Sequence, residues 1–216
     1  FFEESPLYLH YPQFDLIQNI HYLPAFERGM TVQLGEIAAI VNQVDQPSFQ
    51  NTILALELSG QLLDRVSRVF YAMASAHTSD GIRALEQQLA PQLASHQDNI
   101  LLNRDLFLRI EKLYGQRDNL ELDPEPKRLL EKYYIEFVRA GAALSLSEQR
   151  RMKQLNAQIA TLETLYSQNI LSEVNDLSVV VDSEEELAGL NEVLIAAAKE
   201  EGAAGLAYFT FEKNNN

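Results

Sequence analysis

The chain has no cysteine among its 216 residues. Disulfide frameworks, thiolate zinc sites and cysteine nucleophiles are therefore excluded together. Histidine is scarce: His10, His21, His77 and His96 are the full set, and none has a second histidine three or four residues away. Hydrolytic zinc needs neutral imidazoles in reach of one ion and a carboxylate to activate the bound water. A helix with histidines at i and i+4 and a glutamate beside the first supplies that geometry, and no H-E-x-x-H occurs here. The G-x-S-x-G elbow, the P-loop and G-x-G-x-x-G are missing as well. No apolar run approaches the ~20 residues that span a bilayer.

Basic residues are also few, with 17 Lys and Arg against 31 Asp and Glu, for a formal net charge of −14. Phosphate binding requires basic surface, so nucleic acid is not an expected partner, and neither is a membrane. The acidity keeps a protein dispersed; an acidic wall that attracts cationic peptides is a second reading of it. The start, Phe1-Phe2-Glu3-Glu4-Ser5-Pro6, has no basic n-region, no signal-peptide h-region and no initiator Met. The chain is therefore expected to begin inside a longer gene product. The lack of cysteine fits the cytoplasm and leaves the periplasm open.

What is present is mostly helical pattern. Residues 1–20 carry prolines and aromatics without a sustained period and read as an arm lying over the domain. Pro24 suits the first turn of a helix running to about Asn42. Ser48 is a candidate N-cap for a helical stretch to about Ala76, kinked at Ser59-Gly60, with Ile53, Leu56, Leu63, Val66 and Phe70 at helical spacing. Asp80 caps a further helix bearing Ile82, Leu85, Leu89, Leu93 and Ile100 on one face, which Pro91 should kink or interrupt. Asn103 precedes Leu106, Phe107, Ile110 and Leu113, with Gly115 as a stop.

Asp123-Pro124 opens the clearest helix, striped by Leu129, Leu130, Tyr133, Tyr134, Phe137 and Val138, which reads as core. After a turn near 141–147, Met152, Leu155, Ile159, Leu162 and Tyr166 recur at coiled-coil-like steps to about Glu173. These two helices are expected to pack as a long antiparallel hairpin. From residue 176 the pattern changes. Leu177–Val181 and Leu206–Phe211 read as strands, Ser183 with Glu186 as a capping box, and Asn191 as another cap. The division expected is an arm over 1–20, a helical domain over 21–175 and a small α+β segment over 176–216, truncated at its final strand.

No constellation selects a catalytic site. His96 shares the apolar face of its helix and is expected to be a packed core residue, while His77 lies near a helix end where the macrodipole favours a cation. Glu184-Glu185-Glu186 and Glu200-Glu201 stand where capping and solvation explain them, and no feature picks out a glycosidase-like acid pair.

A resemblance adds what the residues alone do not give. Phe14-Asp15-Leu16-Ile17, His21-Tyr22-Leu23-Pro24-Ala25-Phe26-Glu27-Arg28-Gly29-Met30 and Phe49-Gln50-Asn51-Thr52-Ile53-Leu54-Ala55-Leu56-Glu57 resemble the start of bacterial peptidyl-dipeptidases, in the thimet-oligopeptidase group of zinc metallopeptidases. Arg65–Phe70, Ala76–Asp80, Leu122-Asp123-Pro124, Phe137–Ala142, Leu155-Asn156 and Glu186–Leu190 continue the likeness in order. The pattern is closer to peptidyl-dipeptidases than to oligopeptidase A.

The resemblance implies a mostly α, multi-helix N-terminal region of a zincin-type oligopeptidase, with the long hairpin and a small α+β end. It implies a parent that removes C-terminal dipeptides from short peptides, using zinc bound by H-E-x-x-H and a downstream glutamate. This chain matches only the region that helps form a channel wall, so no catalytic, cofactor-binding or metal-ligating residue is carried onto it. Zinc is expected in the parent and not in this chain, which is expected to be inactive alone. The expected partners are the C-terminal catalytic region of the same protein and short peptide substrates. Two alternatives stay open: a non-catalytic helical interaction module, and the N-terminal region of an endo-acting oligopeptidase.

Overall fold

The computed structural model describes residues 1–3, 5–176 and 187–196. Among these the elements are α1 (Asn19–Val41), a π turn (Phe49–Leu54) running into the short α2 (Ala55–Glu57), α3 (Gln61–Ala76), α4 (Asp80–Leu101), α5 (Arg104–Gly115), α6 (Pro124–Ala140) and α7 (Leu146–Asp176). No strand occurs among the described residues, and the fold there is all helical. The expected strands at Leu177–Val181 and Leu206–Phe211, and the Ser183–Glu186 box, lie outside them. The chain divides into two compact units, Phe1–Leu162 and Glu163–Asn216, with the boundary inside α7.

The cap signals are realised one by one. Ser48 Oγ accepts from Asn51 N–H at 3.1 Å while Asn51 Oδ1 accepts from Ser48 N–H at 2.8 Å. Asn103 Oδ1 accepts from Leu106 N–H at 3.0 Å, and Pro124 occupies the first turn of α6. In the second unit Asn191 Oδ1 accepts from Leu194 N–H at 2.9 Å. Three boundaries differ from expectation. The first helix begins at Asn19, so Pro24 sits in its second turn, and His21 Nδ1 accepts from Gln18 N–H at 3.1 Å across the start. Ser79, not Asp80, caps α4, its Oγ accepting from Ile82 N–H at 3.3 Å. The kink at Ser59-Gly60 is a full break between α2 and α3, whereas Pro91 lies inside an unbroken α4.

Two apolar clusters form the core of the first unit. One gathers Ile37, Ile40, Ile53, Ile100, Phe107, Ile110, Leu130 and Phe137. The other gathers Tyr22, Phe26, Val66, Phe70, Ile82 and Leu89. Helix α1 supplies residues to both because its 23 residues extend about 34 Å at ~1.5 Å per residue. In the second cluster Phe70 meets Phe26 edge-on at 5.4 Å and Tyr22 at 5.0 Å. Gly29 allows α1 and α3 this approach, since a Cβ there would fall 2.9 Å from Leu63 Cα. In the first cluster the expected aromatic stripe of α6 is core: Phe137 and Tyr134 stack on Phe107 of α5.

The N-terminal arm contains two 3₁₀ turns, Tyr8–His10 and Phe14–Leu16. It docks through Phe1, whose ring is 5.6 Å from Tyr22, and through Phe14 and Ile17, which pack on the second cluster. Arg109 of α5 fastens the loop that follows α1. Its guanidinium donates to Gln43 O and Asp45 O, both at 3.4 Å, to Thr52 Oγ1 at 3.3 Å and to Asn51 Oδ1 at 3.0 Å.

The two helices of the expected hairpin are present, and the apolar stripe of α7 is half-buried at Met152 and Leu155 but exposed further along. Ile159 is 48% and Leu162 64% exposed. Gln149, Lys153 and Asn156, spaced i, i+4, i+7, bond to the rest of the first unit. Gln149 Nε2 donates to Ala142 O at 3.1 Å, Lys153 Nζ to Asn99 Oδ1 at 3.0 Å, and Asn156 Nδ2 to the buried Asp98 Oδ1 at 2.7 Å. The Asn156 amide gives the buried Asp98 carboxylate a partner, and a buried carboxylate left unpaired would be costly.

Candidate functional site

The two core clusters are separated by a polar joint, and each of three elements contributes its middle to it. Along α1 it falls between Phe26 and Ile37, along α4 between Leu89 and Ile100, and along the α2–α3 stretch between Leu56 and Val66. His96 of α4, 5% exposed, donates from Nε2 to Gln33 Oε1 of α1 at 2.7 Å. A glutamine oxygen only accepts, so the neutral ring carries its proton on Nε2. The opposite atom, Nδ1, is buried without a partner. Burial lowers the His96 pKa below its ordinary value, because a charged ring would lose its water without gaining an acceptor.

Gln33 in turn rests on the α2–α3 break. Gly60 is left-handed there (φ 77°), and an added Cβ would lie 2.3 Å from Gln33 Nε2. The Gly60 N–H donates to Glu36 Oε2 at 2.7 Å. Only a residue without a side chain satisfies both the backbone angle and the space.

Above this joint α1, α2, α3, α4 and α6 enclose a groove of about 430 Å³. Its apolar lining comes from Leu56, Ile100, Leu101 and Phe137, and its polar lining includes Gln33, Glu57, Ser59, Gln61, Gln97, Lys132, Tyr133 and Glu136. An apolar floor with a few placed polar groups is the composition of a small-ligand site. The Tyr133 hydroxyl donates to the Glu57 carboxylate. Its pKa is pushed upward, first by burial, then by that hydrogen bond and the charge of Glu57, and last by the charge of Glu136. Asp64 and Arg68 at the rim pair at 2.8 Å, both exposed, and such a pair adds little stability. Gln61, Gln97, Lys132 and Glu136 have no hydrogen-bond or ion-pair partner among the described residues.

The four histidines occupy separate settings. His10 Nδ1 donates to Ser5 O at 3.0 Å in the arm, His21 closes the start of α1, His77 follows the end of α3, and His96 belongs to the joint. Among the described residues no group of three or more His, Asp or Glu is placed to hold a metal ion. Sequence periodicity found the apolar floor of the groove but not its polar wall, because Glu57, Lys132 and Glu136 look like solvated helix positions until α2 and α6 are brought together. Among the described residues no helix is long and apolar enough to cross a membrane.

No family model matches the chain. Individual proteins do. Dipeptidyl carboxypeptidase of Escherichia coli (strain K12) is 43% identical over 189 residues, 88% of this chain and 28% of that protein. Dipeptidyl carboxypeptidase of Salmonella typhimurium is 41% identical over 204 residues, 93% of this chain and 30% of that protein. Oligopeptidase A of Haemophilus influenzae is 25% identical over 203 residues, 93% of this chain and 29% of that protein. The chain therefore spans less than a third of the length of the curated relatives it matches. It is a homologue of the dipeptidyl carboxypeptidases over most of its own length, and oligopeptidase A is more distant, as the ordered motifs indicated.

Proposed function

We propose, starting from that homology, that this chain is the N-terminal scaffold and channel-wall region of a zinc metallopeptidase that releases dipeptides from the C-terminus of short peptides. The observation that carries the reading is the 41–43% identity over 88–93% of this chain, combined with coverage of only 28–30% of those relatives. The chain's own residues then confine and position substrate, and bond cleavage belongs to the remainder of the protein. Zinc is assigned to that remainder, where the resemblance puts the H-E-x-x-H motif that this sequence lacks. The cysteine-free composition supports a cytoplasmic setting.

The test compares the whole protein, this chain and the complementary C-terminal part on peptides with free or amidated C-termini. The whole protein is expected to need zinc, prefer the free carboxylate and release dipeptides, while this chain releases nothing. Positioning lowers barriers by several kcal/mol, so the complement alone should turn over far more slowly. Internal cleavage products from the whole protein would instead support an endo-acting parent. A natural stop codon near residue 216 with no peptidase activity would support a free-standing interaction module.

A further inference from the structure

The groove between α1, α4 and α6 contains more recognition chemistry than a scaffold requires. Two carboxylates, Glu57 and Glu136, act on one hydroxyl: both raise the pKa of Tyr133, and Glu57 also accepts its hydrogen bond. Glu136 has no cationic partner, although Lys132 lies one turn away on the same helix. Gln61 and Gln97 add amides whose donors and acceptors are uncommitted. Below them the floor of Leu56, Ile100, Leu101 and Phe137 is apolar, and Gln33 beside it is held between His96 and Gly60. A nucleotide would want a free ring face and a basic cradle, but here Tyr133 is tied to Glu57, Phe137 is packed in the core, Arg68 is paired with Asp64 and Lys132 stands beside Glu136. Paired carboxylates beside free amides over an apolar floor suit a primary ammonium followed by backbone amides and a side chain.

We propose that this groove binds the amino-terminal end of a short unfolded peptide. The α-ammonium sits between Glu57 and Glu136, and the first backbone amides bond to Gln61 and Gln97. The assignment rests on the peptidase reading for the class of ligand. It goes further in naming a subsite that holds the substrate end opposite to the one cleaved. Glu57 and Glu136 are positioning residues: they touch the peptide far from the bond that breaks, so they set affinity and leave the chemical step alone.

The chain itself is titrated with an unmodified tetrapeptide, its N-acetylated form and its C-amidated form, followed by backbone amide chemical shifts. Shifts confined to residues around Gln61, Gln97 and Glu136 are expected. N-acetylation or the E136Q substitution should weaken binding by about tenfold, roughly one lost charged contact. C-amidation and the E111Q control on α5 should leave it unchanged. In the whole protein E136Q should raise KM with kcat preserved. Absence of groove shifts up to about 10 mM peptide, equal binding of the acetylated form, or dependence on the carboxylate instead of the amine would each overturn the assignment. The titration needs no turnover, so it separates this subsite from the peptidase reading. Groove binding with an inactive whole protein sinks only the latter, and dipeptide release without groove binding sinks only the former.

Discussion

His96 and Gln33 are joined by a 2.7 Å hydrogen bond between α4 and α1, with the far nitrogen of the imidazole buried and unpartnered. A protonated ring would need an acceptor at Nδ1, and none is provided. The folded pKa is lowered from 6.5 by burial, while the unfolded chain keeps the ordinary value. The unfolded state therefore binds more protons than the folded one in the range just below 6.5, and stability falls as pH drops through that window. Thermal melts between pH 7.5 and 5 should show a declining Tm. His96→Gln should flatten that decline even if it lowers Tm at every pH; an unchanged slope would show that His96 does not set it.

Gly60→Ala should destabilise the chain by about 1–3 kcal/mol, since it combines a strained left-handed residue with a displaced neighbour. The neighbour is Gln33, 2.3 Å from the added Cβ. Gln33→Ala removes that obstacle but also the partner of His96, so the double variant should be less destabilised than the sum of the two singles. Denaturant midpoints for the four proteins give the coupling directly.

Phe137→Ala should cost about 3–5 kcal/mol, because it empties a fully buried site stacked on Phe107. Leu162→Asp, on the exposed stripe of α7, should fall within about 0.5–1 kcal/mol of the parent chain. Comparable losses from the two would show that the stripe is covered.

Ser48→Ala should cost about 1 kcal/mol, the usual value of an N-cap, since it leaves Asn51 N–H without its acceptor. Ser48→Asp retains an acceptor and should recover most of the loss, which urea titration of both variants would reveal.

The helices and most caps were legible because they are local. Ser48, Asn103, Asp123-Pro124 and Asn191 announce helix starts through chemistry within four residues. The apolar floor was legible because Leu56, Ile100 and Phe137 recur at helical spacing with their neighbours. What escaped was non-local. Helix α7 meets Asp98, a carboxylate 58 positions from the Asn156 that satisfies it. Hydrophobic periodicity marked Met152 and Leu155, which are half-buried, together with Ile159, Leu162 and Tyr166, which are exposed. The polar wall of the groove likewise joins Glu57 to Tyr133 across 76 positions, and neither residue differs locally from a solvated one.

Arg109 has a consequence for the order in which the first unit loosens. Its guanidinium ties together the segment from Gln43 to Thr52 with four contacts issuing from a single side chain, beside the few local bonds of the Ser48–Asn51 cap. That segment cannot fray residue by residue, as an ordinary surface loop does. It is released in one step when the guanidinium withdraws, so amide exchange along it should follow a common opening rate set by α5. Lysine keeps the charge but not the planar fork, so Arg109→Lys would divide this single cooperative opening into several independent ones.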